Sequence, residues 1–175
     1  MIDKIKKLIL EKYLKVRLQL IIDKTDAYNF PALINHLKNV LIILPQHTEK
    51  FIHEFPSRLY SAFPGINIST FDISGLRKSD CNWLGVPHVH YLDQVRDGNF
   101  DMVIDLNLIP DKICSYITAF SGALIKINLV SGPYDHIYNL QIKSAENKSI
   151  PEKLENIIKY LYVLKKSDQS RSKPE

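Results

Sequence analysis

Residues 39–68 read NVLIILPQHTEKFIHEFPSRLYSAFPGINI, and this stretch decides the fold. An apolar run at Val40–Leu44 is closed by polar residues, a helix-like segment follows, and a second apolar run begins at Ile66. This order of strand, helix and strand predicts a βαβ unit, and therefore a parallel sheet. In open α/β sheets the ligand crevice lies beyond the carboxyl ends of the strands. Residues 45–49, which follow the first strand, are therefore the first candidates for a binding site.

The remainder of the chain extends this unit. Strands are expected where apolar runs are bounded by turn residues, and helices where apolar residues recur every three or four positions. The expected strands are residues 66–73, 88–92, 100–106, 124–130 and 137–142, and the expected helices are residues 49–62, 111–120 and 151–165. Pro56 removes a backbone donor inside the first of these helices, which predicts a break near Phe55.

The predicted fold class is α/β. We expect a single Rossmann-like domain, with a mostly parallel sheet of about six strands, helices on both faces and an additional N-terminal amphipathic helix. The expected organisation is a basic helix at 1–24, the Rossmann-like domain at 25–165 and a flexible tail at 166–175.

Composition places the chain among globular proteins, with 45% hydrophobic and 24% charged residues. No apolar stretch approaches the roughly 18 to 20 residues that span a bilayer, and the N-terminus lacks the apolar core and cleavage site of a signal peptide. We therefore expect a cytoplasmic protein. Cys81 and Cys114 show no metal-ligand spacing, so they are expected to be reduced thiols.

Positive charge is concentrated at the N-terminus. Residues 1–24 hold seven basic and three acidic side chains, an excess that equals the net charge of +4 for the whole chain. The middle of the chain therefore has no basic excess, and we expect no nucleic-acid partner.

The first helix has apolar residues on more than one side. One face carries Ile2, Ile5, Ile9, Tyr13, Val16 and Leu20, and the apolar surface is widened by Leu10, Leu14, Leu18 and Ile21. The favoured interpretation is a helix that packs on the domain, or that mediates self-association or contact with a partner protein. The alternative is an amphipathic anchor on an anionic surface, which would make the protein peripheral to the inner membrane.

Three ordered motifs carry a family resemblance. They are the segment from Leu44 through FPSRL to FPGI at 63–66, FDMVIDLN at 100–107 and FSGA at 120–123. This series resembles the N-terminal, acceptor-side half of family-nine glycosyltransferases, the heptosyltransferases of lipopolysaccharide synthesis. The resemblance covers about residues 39–165 and consists mostly of structural motifs. It implies a Rossmann-like domain and a link to bacterial cell-envelope polysaccharide.

The same resemblance bears on activity. Family members carry a glycine-aspartate pair before the helix proline, in which the acid is the catalytic base, whereas Glu49 and Lys50 stand here. The family also builds its nucleotide-sugar site mainly from a second, C-terminal domain, which has no counterpart in these residues. We therefore expect a non-catalytic, glycosyltransferase-like binding or interaction protein. The alternative is half of a split heptosyltransferase-like enzyme that takes its donor domain from another chain, with Glu49 as a displaced base.

The candidate ligand-binding residues follow three predicted strands, where a sugar or sugar phosphate would bind. They are Gln46, His47, Thr48, Asp105, Asn107, Ser131 and Gly132. Asp105 also suits a turn cap, and Ser131-Gly132 also suits a plain turn.

Motifs for cofactors and metals are missing from the sequence. There is no glycine-rich phosphate loop and no nucleophile elbow, so we expect no cofactor. His47 and His53 are six residues apart, which does not aim two ligands at one metal. His88 and His90 share a face of the strand predicted there, for which a solvated edge is the commoner outcome. We expect no bound metal.

Overall fold

The protein, as a computed structural model, contains one parallel sheet. The structure describes residues 2–21, 28–45, 50–145 and 147–171. Five strands run in the order β2-β1-β3-β4-β5, and every neighbouring pair is parallel. The strands are β1 (Asn39–Leu44), β2 (Asn67–Asp72), β3 (Met102–Asp105), β4 (Ile125–Asn128) and β5 (Leu140–Gln141). The α/β class and the parallel sheet are as predicted from the βαβ pattern.

Six α-helices flank this sheet within the described part of the chain. They are α1 (Ile2–Ile21), α2 (Phe30–Asn35), α3 (Lys50–Ala62), α4 (Val89–Asp97), α5 (Lys112–Phe120) and α6 (Ile150–Arg171). Helices α2, α3 and α6 pack on one face, where Ile42, Phe55 and Ile157 belong to one buried cluster. Helices α1, α4 and α5 pack on the other face, where Ile43 and Ile117 belong to a second cluster. Helices therefore cover both faces, as predicted.

Three local predictions were wrong. Residues 88–92 are not a strand but the start of α4, because Leu92 and Val95, three residues apart, are the pair that is buried. The helix break at Pro56 does not occur, since α3 continues through it with Ile52, Phe55 and Leu59 buried on both sides. Helix α6 continues to Arg171, six residues beyond its predicted end at 165.

Helix α1 packs on the domain by the second of its two apolar sides. Leu10, Leu14 and Leu18 are buried with the side chains of α5, whereas Ile5 and Val16, from the face expected to dominate, are exposed. Within the described ranges, no helix combines the length and the apolar character that a membrane span requires.

The chain leaves neighbouring strands β1 and β3 toward opposite faces of the sheet. Helix α3, after β1, lies on one face, and helix α5, after β3, lies on the other. Such a reversal is a topological switch point, and ligand crevices of open α/β sheets form beside it at the carboxyl ends of the strands. The loops that follow β1, β3, β4 and β5 are therefore the candidate positions for a ligand site.

Candidate functional site

Two cavities lie side by side at the carboxyl ends of β3, β4 and β5, and Val130 lines both. We call the one beside α5 the inner pocket. Its lining includes Asp105, Asn107, Ser115, Asn128, Gly132, Asp135 and Tyr138. We call the one beside the start of α6 the outer pocket. Its lining consists of Leu108, Leu129, Val130, Ser131, Ile142, Lys143, Ser144 and Lys153.

Asp105 is the central polar group of the inner pocket and is only 4% exposed. The Tyr138 hydroxyl donates to its Oδ2 atom at 2.6 Å. The backbone N–H of Asn107 and its side-chain Nδ2 both donate to the other carboxylate oxygen, at 3.0 and 2.7 Å. Asp105 comes last in β3, so the sequence places it where the loop turns back and both Asn107 donors can reach it. Its hydrogen-bonding capacity is therefore largely used inside the protein.

The network continues into helix α5. Ser115 lies 3.1 Å from the Tyr138 hydroxyl and donates to the carbonyl of Asp111. The Asp111 side chain caps the helix by accepting from the backbone N–H groups of Ile113 and Cys114, both at 2.8 Å. This N-cap fixes the first turn of α5 and with it the position of Ser115.

Burial dominates the electrostatics of these groups. It raises the pKa of Asp105, and the hydrogen bonds from Tyr138 and Asn107 only partly oppose the rise. Burial also raises the pKa of Tyr138, and the charge of Asp105 adds to that effect. The pKa of Cys114 is raised by burial and by the negative charges of Asp111 and Asp105. The inner pocket therefore favours neutral groups.

The inner pocket is too small for a metabolite. Its volume is about 10 Å³, which is at most the room that one water needs. Gly132 donates its N–H to Asp135 at 2.9 Å, and Asn128 donates to the carbonyl of Val130 at 2.9 Å. The Asn128 Oδ1 atom is buried and has no hydrogen-bond partner among the described residues. A single water bound to this oxygen is the most that the pocket accommodates.

The outer pocket is larger and its charges are differently arranged. Its volume is about 260 Å³, close to the lower end of the range for small-molecule sites. Lys143 follows β5 by two residues, and Lys153 lies in the first turn of α6. Among the residues that the structure describes, neither lysine forms an ion pair. The pocket therefore presents two positive charges that are not neutralised by those residues.

Hydroxyl and amide groups complete the polar side of the outer pocket. Ser131 donates to Gln141 Oε1 at 3.3 Å, while the buried Nε2 of Gln141 has no partner in the described ranges. The Ser144 hydroxyl accepts from Asn156 Nδ2 at 3.1 Å, which leaves its own hydrogen free to donate. Leu108, Leu129 and Ile142 form the apolar wall. This combination of cations, hydroxyl donors and an apolar wall suits a small anionic ligand with a carbon skeleton.

Comparison with protein families classifies the chain. A model described as "Family of unknown function (DUF6913)" matches residues 6–164. The chain belongs to this family. The matched range runs from α1 to α6 and so includes the five described strands and both pockets. DUF6913 membership therefore describes the whole domain and assigns no activity.

Structural and curated comparisons add little to the DUF6913 assignment. One similar solved structure is an azoreductase from Bacillus anthracis str. Sterne, with 14% sequence identity and a TM-score of 0.40. The match covers 74% of this chain and 100% of that one. No curated protein matches the chain.

The structure places the site residues that the sequence predicted in different positions. Asp105, Asn107 and Gly132 come together at the inner pocket, and Ser131 lies at the outer pocket. The predicted residues after β1 are outside the described residues, namely Gln46, His47, Thr48 and the candidate base Glu49. His88 and His90 stand at the start of α4 with ring centroids 6.2 Å apart, and the described residues contain no group of three or more metal-ligating side chains.

Sequence reasoning missed the two lysines and Tyr138. Lys143 follows a strand whose predicted end, Ile142, lies beyond its actual end at Gln141. Lys143 is the first residue after that predicted strand, so the rule that marked residues at strand ends was the signal that could have found it. Lys153 offered no such signal, because only the packing of α6 beside β4 and β5 brings it to the pocket.

Proposed function

We propose that this protein binds a small anionic, polar metabolite, of the sugar-phosphate class, in the outer pocket. The observation that carries the proposal is the pair Lys143 and Lys153, which face a cavity of about 260 Å³ and form no ion pair with a described residue. Lysine binds phosphate as a point charge, and serine hydroxyls can orient the ligand by hydrogen bonds. The location at the carboxyl ends of parallel strands is the usual one for such ligands.

We further propose a role as a non-catalytic, glycosyltransferase-like binding protein linked to bacterial cell-envelope polysaccharide. The support for this link is the resemblance of residues 39–165 to the acceptor-side half of heptosyltransferases. The support for the absence of catalysis is chemical. Sugar transfer requires a base on the acceptor and groups that hold the diphosphate leaving group. In the described residues the one deeply buried carboxylate, Asp105, is occupied by hydrogen bonds from Tyr138 and Asn107.

Calorimetric titration with a hexose phosphate, the unphosphorylated hexose and inorganic phosphate tests the binding proposal. We expect the hexose phosphate to bind best, because only it meets both the lysines and the apolar wall. The double variant Lys143→Gln, Lys153→Gln should bind roughly a hundredfold more weakly, since a charge-assisted contact contributes about tenfold or more. The control variant Lys38→Gln, Lys78→Gln removes the same charge from exposed sites outside the pocket and should bind as the wild type does. Equal affinities for both variants would overturn the proposal.

Donor turnover tests the non-catalytic character separately. The isolated chain, incubated with nucleotide-sugar donors and a panel of sugar acceptors, should release no nucleotide above the rate of donor hydrolysis in buffer. Turnover that disappears in Glu49→Gln would instead identify Glu49 as a base and favour the transferase alternative.

A further inference from the structure

Helix α1 has two apolar sides, and only one is covered. Leu10, Leu14 and Leu18 are buried on the domain. On the opposite side, the exposed fractions are 53% for Ile5, 54% for Leu8, 39% for Ile9 and 56% for Val16. Spacings of three, four and seven residues place these four, together with Lys12, on one face, which we call the outer side. The outer side is therefore the apolar surface of α1 that its packing on the domain leaves exposed.

Basic residues surround the outer side. Residues 2–21 contain six basic side chains and two acidic ones. All six basic side chains are exposed. Lys12 lies within the outer side, and Lys7 lies toward the domain. The two edges of the outer side carry the other four, with Lys4 and Lys15 along one edge and Lys6 and Arg17 along the other.

Glu11 is the acidic residue of α1 whose side chain the structure describes, and it is exposed between the edge that carries Lys15 and the side that faces the domain. Glu11 precedes Leu14 by three residues and Leu18 by seven, and its charge acts on Tyr134 of the domain. The outer side itself therefore carries Lys12 beside aliphatic side chains, and basic residues predominate along its edges.

We propose that the outer side of α1 binds the surface of a membrane that contains anionic lipid. Lysines on both edges of an aliphatic face reach the phosphate layer while the aliphatic side chains enter the boundary of the acyl chains. Each lysine near an anionic surface strengthens binding, and the effect is screened by salt.

Two other occupants fit the surface less well. A second copy of α1 would bring lysines against lysines, because the outer side offers no carboxylate to pair with them, and such contacts repel. Nucleic acid would satisfy the lysines but would leave Ile5, Leu8, Ile9 and Val16 against a charged backbone, which gains nothing from aliphatic contact. A lipid surface alone meets both the charge and the apolar side chains.

Co-sedimentation of the full chain with vesicles tests the proposal. Vesicles of phosphatidylcholine with about a third phosphatidylglycerol should bind the chain, pure phosphatidylcholine should bind it much less, and about 0.5 M salt should weaken the binding. Lys4→Gln, Lys12→Gln, Lys15→Gln should bind roughly a hundredfold more weakly. The double variant Ile5→Asn, Ile9→Asn should also lose binding. Its thermal midpoint should equal that of the wild type, because both side chains are exposed in the folded protein.

Two control variants distinguish binding by the outer side from non-specific binding to vesicles. Tyr160→Asn, Val163→Asn replaces two exposed apolar residues of α6, on the opposite face of the sheet, and Lys38→Gln, Lys78→Gln, Lys159→Gln removes three exposed lysines. Both control variants should bind vesicles as the wild type does. Failure of the wild type to bind anionic vesicles would overturn the proposal. A dimer that Ile5→Asn, Ile9→Asn converts to monomer, measured by sedimentation equilibrium, would overturn it in favour of a second copy.

Discussion

The inner and outer pockets share the wall at Val130 but differ in how their polar groups are used. In the inner pocket Asn107 and Tyr138 both donate hydrogen bonds to Asp105, beside a space of about 10 Å³. In the outer pocket Lys143 and Lys153 face about 260 Å³ and form no ion pair with a described residue. Polar residues at the end of a strand are therefore not enough to indicate a ligand site. The outer pocket differs because its two lysine charges are not neutralised by ion pairs with described residues.

The largest effect should come from breaking the inner network. Asp105→Ala leaves the Tyr138 hydroxyl and the Asn107 amide without their acceptor in a buried site, so the free energy of unfolding should fall by about 2 kcal/mol or more. Urea unfolding measures the change. The control Asp97→Ala, at an exposed position whose carboxylate pairs with Arg96, should change it by less than about 0.5 kcal/mol. A similar change in unfolding free energy for both variants would show that the hydrogen bonds of Asp105 do not stabilise the fold.

A milder change separates the two pockets. Tyr138→Phe removes one hydrogen bond to Asp105 but keeps the ring, and it should cost about 1 kcal/mol in urea unfolding. Its affinity for hexose phosphate should stay within about twofold of the wild type, because the hydroxyl does not line the outer pocket. A larger loss of affinity, with the fold intact by circular dichroism, would move the ligand to the inner pocket.

The pH dependence of stability should report the burial of Asp105. Burial raises its pKa above the ordinary value of about 3.9, so the folded chain holds this proton more tightly than the unfolded chain does. The stabilisation that results is complete below about pH 3.9 and is lost as pH rises through the folded-state pKa. Relative to Asp105→Asn, which cannot ionise, the wild type should therefore lose stability as pH rises from about 4. The opposite slope, in urea unfolding at a series of pH values, would indicate a lowered pKa.

The smallest effect is a difference between two thiols. Cys114 is buried beside the inner network, whereas Cys81 is partly exposed in the loop before α4. A disulfide reagent should modify Cys81 slowly in the folded protein, since burial and the charge of Asp80 raise its pKa as well. Cys114 should react only after unfolding. Modification of Cys114 in the native protein, identified by peptide mass, would show that the inner pocket opens to solvent.

The sequence was informative where local pattern and tertiary packing agree. The apolar runs at Val40–Leu44 and 100–106 predicted β1 and β3, and Gly122, with φ of +69°, ends α5 as its position suggested. Residues 88–92 misled because an alternating pattern over five residues fits a strand as well as it fits the first turns of a helix. Tertiary contacts decided that case, through Leu92 and Val95.

The candidate site was predicted only in part, because pairing is a property of the folded state. Sequence position marked Asp105 and Asn107 as groups at the end of a strand, but it could not show that they satisfy each other and Tyr138. Lys143 and Lys153 lie ten residues apart, and they reach one cavity only through the packing of α6 on the sheet. The sequence thus marked residues at the carboxyl edge of the sheet, of which Asp105, Asn107 and Gly132 line the inner pocket and Ser131 lines the outer pocket.

Chemical-shift mapping with a hexose phosphate on the uniformly labelled wild type tests the central claim most directly, because it locates the ligand without any substitution. We predict that the largest amide shifts occur at Ser131, Lys143, Ser144 and Lys153, and that Asn107 and Tyr138 change little. Saturable shifts confined to the amino-terminal edge of the sheet, or centred on the inner pocket, would contradict the account.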